Sequence, residues 1–123
     1  MDYFKQGCEF YNQQDYESAI YDFKLSLKQN KDNYIYRTSL YNLGMCYLQL
    51  EDYKESEKWI RKIKNKGNKE HYAIGYCLVG QEDYGGALFN FLLASQYDEQ
   101  DEHTINAIEQ CIKIISELER LNE

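Results

Sequence analysis

A chain of 123 residues with 13 tyrosines and no proline is long enough for one compact domain, 1–123, and short for two. Its net charge of -7 argues against nucleic acid as a partner, because neutralising phosphates takes a basic field. No apolar run approaches the roughly 20 residues of a membrane helix, and no charged-then-apolar leader opens the chain. No membrane partner and a cytoplasmic location are therefore expected.

Asp2 to about Gln13 reads as a first helix, with Tyr3, Gln6, Gly7, Phe10 and Tyr11 on neighbouring turns. Gln13-Gln14-Asp15 ends it. A second helix runs from Tyr16 to Gln29 on a stripe of Ala19, Ile20, Phe23, Ser26 and Leu27. Asn30-Lys31-Asp32-Asn33 is a loop with capping chemistry. A third helix is expected from Tyr34 to Leu50 and a fourth from Tyr53 to about Asn65, joined by the turn Glu51-Asp52. Lys64–Lys69 is an open loop in which Gly67 reads as a C-terminal cap. Basic residues crowd into Lys54–Lys69; a patch for an acidic partner and a solvated helix face are both compatible with them, and the second is favoured.

A fifth helix covers about Lys69 to Gly80 and a sixth Tyr84 to about Tyr97. Gly85-Gly86 at its start is costly for a helix, about 1 kcal/mol per glycine relative to alanine, which suggests close packing or a tilt. After the acidic stretch Asp98–His103, a seventh helix runs from Thr104 to about Leu121. Ile105, Ile108, Cys111, Ile112 and Ile115 form its stripe, widened by Ala107, Ile114, Leu118 and Leu121. That width leaves a homodimer contact open.

One design occurs three times. Gly7, Gly44 and Gly75 are each followed nine residues later by tyrosine (Tyr16, Tyr53, Tyr84), and each tyrosine is preceded by Asp15, Asp52 or Asp83. A small residue stands three positions further on: Ala19, Ser56, Ala87. Large side chains at these positions would push paired helices apart. Cys46 and Cys77 fall two residues after their glycines, and with no CxxC pair or nearby histidine the four cysteines read as packing residues rather than metal ligands.

This pattern resembles the tetratricopeptide repeat (TPR) family, whose 34-residue unit is a helix–turn–helix. The first copy reads Tyr3, Gln6, Gly7, Phe10, Tyr16, Ala19, Phe23, Ser26; the second Leu40, Leu43, Gly44, Tyr47, Tyr53, Ser56, Ile60, Ile63; the third His71, Ile74, Gly75, Leu78, Tyr84, Ala87, Phe91, Ala94. The family's closing proline is missing, and the glycine spacing is first longer, then shorter than the family period. The resemblance implies an all-α right-handed superhelix of three units, about 2–33, 39–68 and 70–100, plus a capping helix at about 104–121, seven helices in all.

In that architecture the first helices line a concave groove. The resemblance places Phe4, Cys8, Tyr11, Tyr41, Met45, Leu48, Tyr72, Tyr76 and Val79 there, with Asn42 and Lys69 as polar contacts. An apolar groove of this kind needs a partner or a filling segment, although tyrosines can also simply finish a core. The groove predicts a protein or peptide partner with an apolar or aromatic segment. The family's carboxylate clamp fits poorly: its places hold Phe4, Cys8, Asn42, Lys69 and Ala73, and only Asn42 and Lys69 agree. Alternatives are a structural or self-associating subunit, or a holder of clients resembling type III secretion chaperones. No catalytic triad, metal cluster or phosphate loop is found, and acids that recur once per unit read as turn residues, so neither enzyme activity nor a cofactor is expected.

Overall fold

Six of the helices begin on a residue whose side chain caps them. In a computed structural model, which describes residues 1–31 and 33–123, seven α-helices form and no strand is seen among the described residues: α1 (Tyr3–Asn12), α2 (Tyr16–Gln29), α3 (Tyr34–Gln49), α4 (Tyr53–Arg61), α5 (Asn68–Gly80), α6 (Tyr84–Tyr97) and α7 (Glu102–Leu121). Asp32, within the expected α2–α3 loop, lies outside the described residues. Side-chain oxygens of Asp2, Asp15, Asn33, Asp52, Asp83 and Asp101 accept from backbone N–H groups of the helices they precede. Each satisfies a donor that a helix start leaves without an intrahelical partner.

The turn inside each helix pair is the same object three times. Gln14, Glu51 and Glu82 take left-handed φ of 62°, 58° and 62°. The following aspartate N–H then reaches back to the carbonyl of Phe10, Tyr47 or Leu78 at 2.9, 2.9 and 2.8 Å. That bond closes the first helix while the aspartate side chain opens the second. Asp15, Asp52 and Asp83 are thus turn residues, as their repetition predicts.

Two compact units result, residues 1–64 and 65–123. In the first, α1, α2, α3 and α4 pack in sequence and α1 also touches α3. Ala19, Phe23, Leu43 and Cys46 are its fully buried centre. Ser26 and Ser39, both buried, share a 3.0 Å hydroxyl–hydroxyl bond between α2 and α3. In the second, α6 packs between α5 and α7. Ile74, Cys77, Ala87, Phe91, Ala94 and Cys111 form its core. Asn68 there donates to the Ala94 carbonyl and to Thr104, whose buried hydroxyl donates to Asp101 at 2.6 Å.

The glycines at the helix crossings sit under side chains of their partner helices. A Cβ on Gly7 would lie 2.7 Å from the Phe23 ring, on Gly44 2.3 Å from Ile60, and on Gly75 2.5 Å from the Phe91 ring. Ala19, Ser56 and Ala87 are fully buried beside these crossings, and the Ser56 hydroxyl donates to the Gly44 carbonyl at 2.7 Å.

Three expectations need correction. Helix α4 stops at Arg61, short of Asn65. Lys62 and Ile63 make tightened i→i−3 bonds, Ile63 turns into the core, and Asn65 adopts a left-handed φ of 56°. Gly67 is no C-terminal cap: it precedes α5 with φ −112°, its N–H donating to Glu70 at 2.8 Å. A Cβ on Gly85 would meet nothing within 4 Å, so no close packing explains this glycine; a Cβ on Gly86 would instead crowd the Asp83 cap.

Candidate functional site

The first-helix faces carry the sequence-derived positions, and each unit holds its own set. In the first unit, Phe4, Cys8 and Tyr11 on α1 and Tyr41, Asn42, Met45 and Leu48 on α3 are all half-buried. Part of each ring is spent on packing. Phe4 lies 6.1 Å from Phe23 and Tyr11 5.4 Å from Tyr16, centroid to centroid. Asn42 and Cys8 meet across the two helices, the amide donating to Sγ at 4.0 Å.

The chemistry of this face is apolar and unreactive. Burial first, then the Asp2 and Glu9 charges, raise the Cys8 thiol above its ordinary value. Burial, with Cys8 beside it, pushes Cys46 up to about 12. Tyr11 is raised by burial and by Cys46 and Tyr16, against a bond from Gln49 that lowers it. Neither thiol has the electropositive surroundings that make a reactive cysteine. Cys46, Cys77 and Cys111 are buried and outside any disulfide, which is the packing role expected for them.

In the second unit, Lys69, Tyr72, Tyr76 and Val79 follow one another on α5. Tyr72 is half-buried with its ring 5.4 Å from Phe91. Burial, then Asp101 and Tyr76, raise its hydroxyl. Tyr76 keeps 49% of its surface exposed and Lys69 is exposed. Ala73, at a clamp position, is buried and offers no charge.

Three residues of the basic run, Lys58, Arg61 and Lys62, are committed to their own helix and its end. Lys58 pairs with Glu55 at 3.4 Å and Arg61 with Glu57 at 2.6 Å. Lys58 and Lys62, with Lys24 of α2, stand 5.3, 5.0 and 5.6 Å from the Trp59 ring centroid. Such ammonium–ring contacts are attractive. Sequence reasoning missed this Trp59 cluster, and it missed Asp22, a buried acid within the α2 stripe. The spacing 19-22-23-26 on one helical face was the available signal for Asp22.

Residues 38–65 match the family model described as tetratricopeptide repeat. No curated protein matches the chain in sequence. Among solved structures, the first TPR of Spaghetti (RPAP3) bound to the HSP90 peptide SRMEEVD is similar at TM-score 0.84 and 12% identity, covering 93% of this chain and 90% of that one. The C-terminal TPR-containing domain of a putative FK506-binding protein of Plasmodium falciparum is similar at 0.81 and 20% identity, over 97% and 89%. The second TPR domain of human RPAP3, in complex with the HSP70 peptide SGPTIEEVD, is similar at 0.80 and 17% identity, over 89% and 92%. The fold is that of these helical-repeat domains, and the stretch 38–65 is similar to a tetratricopeptide repeat.

Proposed function

We propose that the chain is a non-enzymatic protein-interaction module that holds an apolar or aromatic peptide segment against its first-helix faces. The observation that carries this reading is Asn42. Its side chain is half-buried beside Cys8, and its one hydrogen bond among the described residues is the long contact to Sγ. Sulfur is a weak acceptor, so the amide has capacity left for a peptide backbone. Apolar neighbours supply area and the amide supplies register. Tyr76 on α5 adds an exposed ring of the type that binds at low entropic cost.

The HSP90 and HSP70 peptides held by the RPAP3 domains are the comparison to beat. Phe4, Cys8 and Ala73 stand where a clamp needs donors, so several carboxylates would go unneutralised here. The test is an unbiased peptide array with SRMEEVD included. Aromatic or aliphatic peptides should bind, Asn42→Ala should weaken those held by the first unit and Tyr76→Arg those held by the second, about tenfold each, and SRMEEVD should stay at background. Selection of EEVD-type peptides over apolar ones would overturn the apolar reading.

Self-association is the second reading. Ile105, Ile112, Leu118 and Leu121 of α7 are exposed, and light scattering across a concentration series distinguishes a dimer from a monomer.

A further inference from the structure

The first unit contains a second concavity, which shares no residue with the first-helix faces. It is an open depression of about 370 Å³ between the end of α1 and the first half of α2, lined by Phe10, Glu17, Ser18, Tyr21 and Asp22. Its volume is within the range of small-ligand pockets. Asp22 is only 5% exposed, and its Oδ2 is fully buried with no hydrogen-bond partner. Buried carboxylates are ordinarily paired, because an unpartnered one forfeits its hydration.

The corresponding place on α6 shows what a purely structural residue does there. Asn90 is buried to a similar degree and donates from Nδ2 to the Gly86 carbonyl at 2.9 Å, four residues back. An ionised Asp22 has no proton to give the equivalent Ser18 carbonyl. The acid is therefore poorly suited to the helix and suited to a donor from outside. Burial also raises its carboxyl above the usual carboxylate range, as expected of an acid lacking its counter-charge.

We propose that this depression binds an alkylammonium group, presented to it as the lysine side chain of a protein partner. Two carboxylates, Glu17 and Asp22, call for a cation, and the Ser18 hydroxyl can accept from it. Phe10 and the exposed Tyr21 supply rings for the alkyl stem and the charge. A divalent metal would demand more oxygen ligands than these, and no cluster of three potential metal ligands occurs among the described residues. A guanidinium fork seeks two acceptors side by side, whereas a compact ammonium is held by single oxygens.

The test is an NMR titration of the full, isotope-labelled chain with n-butylammonium chloride, against sodium chloride and butan-1-ol controls. Saturable shifts confined to the amides of Phe10, Glu17, Ser18, Tyr21 and Asp22 are expected. Asp22→Asn should weaken binding at least tenfold while leaving the remaining spectrum in place, since asparagine already occupies the matching site on α6. Should that variant fail to fold, Glu17→Gln at an exposed position should weaken binding at least threefold. A blocked Ala-Lys-Ala peptide should bind at least as tightly as butylammonium. Diffuse shifts, unchanged binding by the variants, or equal binding of ethylguanidinium would overturn the ammonium site; loss of binding on moving to the peptide would overturn the protein source.

Discussion

Replacing Gly44 with alanine tests the helix crossing with a single methyl group. The new Cβ would lie 2.3 Å from Ile60 Cγ1 and 2.6 Å from Cδ1. Carbon atoms rest about 3.5–4.0 Å apart, so Ile60 or the helices must yield by about 1.2 Å. Ile60 is fully buried and has little room to do so. Overpacking costs about 1–3 kcal/mol, and this contact belongs near the upper end. Alanine returns about 1 kcal/mol of helix propensity, which leaves a net loss of about 2 kcal/mol. Trp59, the sole tryptophan, lies in the same unit, so its fluorescence through a urea titration reads the unit that carries the change. The midpoint should fall by roughly 1–2 M at an m-value of 1–2 kcal/mol/M. In an Ile60→Ala background the clash is gone, and Gly44→Ala should become neutral or stabilising. The coupling in that cycle should then be about 2–3 kcal/mol. Additivity within about 0.5 kcal/mol would refute the crossing as the reason for this glycine.

Further outcomes follow from the turns, caps and buried groups. Glu51→Gly relieves a left-handed φ of 58° and should stabilise the first unit by about 0.5–1 kcal/mol in the same urea titration, despite glycine's greater freedom when unfolded. Asp83→Ala removes the cap bond to the Gly86 N–H and should cost about 1 kcal/mol by thermal unfolding followed by circular dichroism. Because the Asp22 carboxyl is raised in the fold, the native state holds a proton that the unfolded chain has released. Stability should therefore decline as pH rises from the unfolded value of about 3.9 through the raised folded one. Asp22→Asn should remove that decline and add about 1 kcal/mol near neutrality through a bond to the Ser18 carbonyl, with no gain at acid pH; urea titrations across pH decide it. With Cys46 held near pKa 12 and buried, alkylation at pH 8 should reach half-buried Cys8 first and Cys46 only on unfolding, as peptide mapping would show.

Where local chemistry decides, the sequence reading was close to the structure. Aspartate before tyrosine spelled out three helix starts, because a capping side chain acts on an amide only a few residues away. The glycines and small residues marked the crossings, although spacing alone did not reveal that Phe23, Ile60 and Phe91 lie over those glycines. The end of α4 was not legible. Arg61, Lys62 and Lys64 are all adequate helix formers, and what stops the helix is tertiary: burial of Ile63 and the left-handed Asn65. The family resemblance put Phe4, Tyr11, Tyr72 and Tyr76 on first-helix faces. It could not say that Phe4, Tyr11 and Tyr72 spend part of their rings on Phe23, Tyr16 and Phe91 while Tyr76 stays out. How much of a side chain a neighbour covers is a property of packing, and the family pattern fixes direction alone.

The unequal glycine spacing bears on how the faces can be probed. The turn within each pair is constant, with a residue at φ near 60° and an aspartate cap every time. The variation lies outside that turn: α2 has 14 residues and α4 has 9, and α3 begins ten residues before Gly44 whereas α5 begins seven before Gly75. Register between a first helix and its partner is thus set locally, by the turn at one end and the glycine crossing beneath. Asn42 and Tyr76 belong to neither device. Truncating Asn42 removes an amide with one long bond, and replacing Tyr76 changes a ring that is half exposed. Both changes should leave unfolding midpoints nearly unmoved, since surface substitutions away from such devices stay within about 0.5 kcal/mol. A loss of peptide binding without a loss of stability then reports on the face itself. A parallel fall in both would mean that these side chains serve the core, and the faces would need no ligand to explain them.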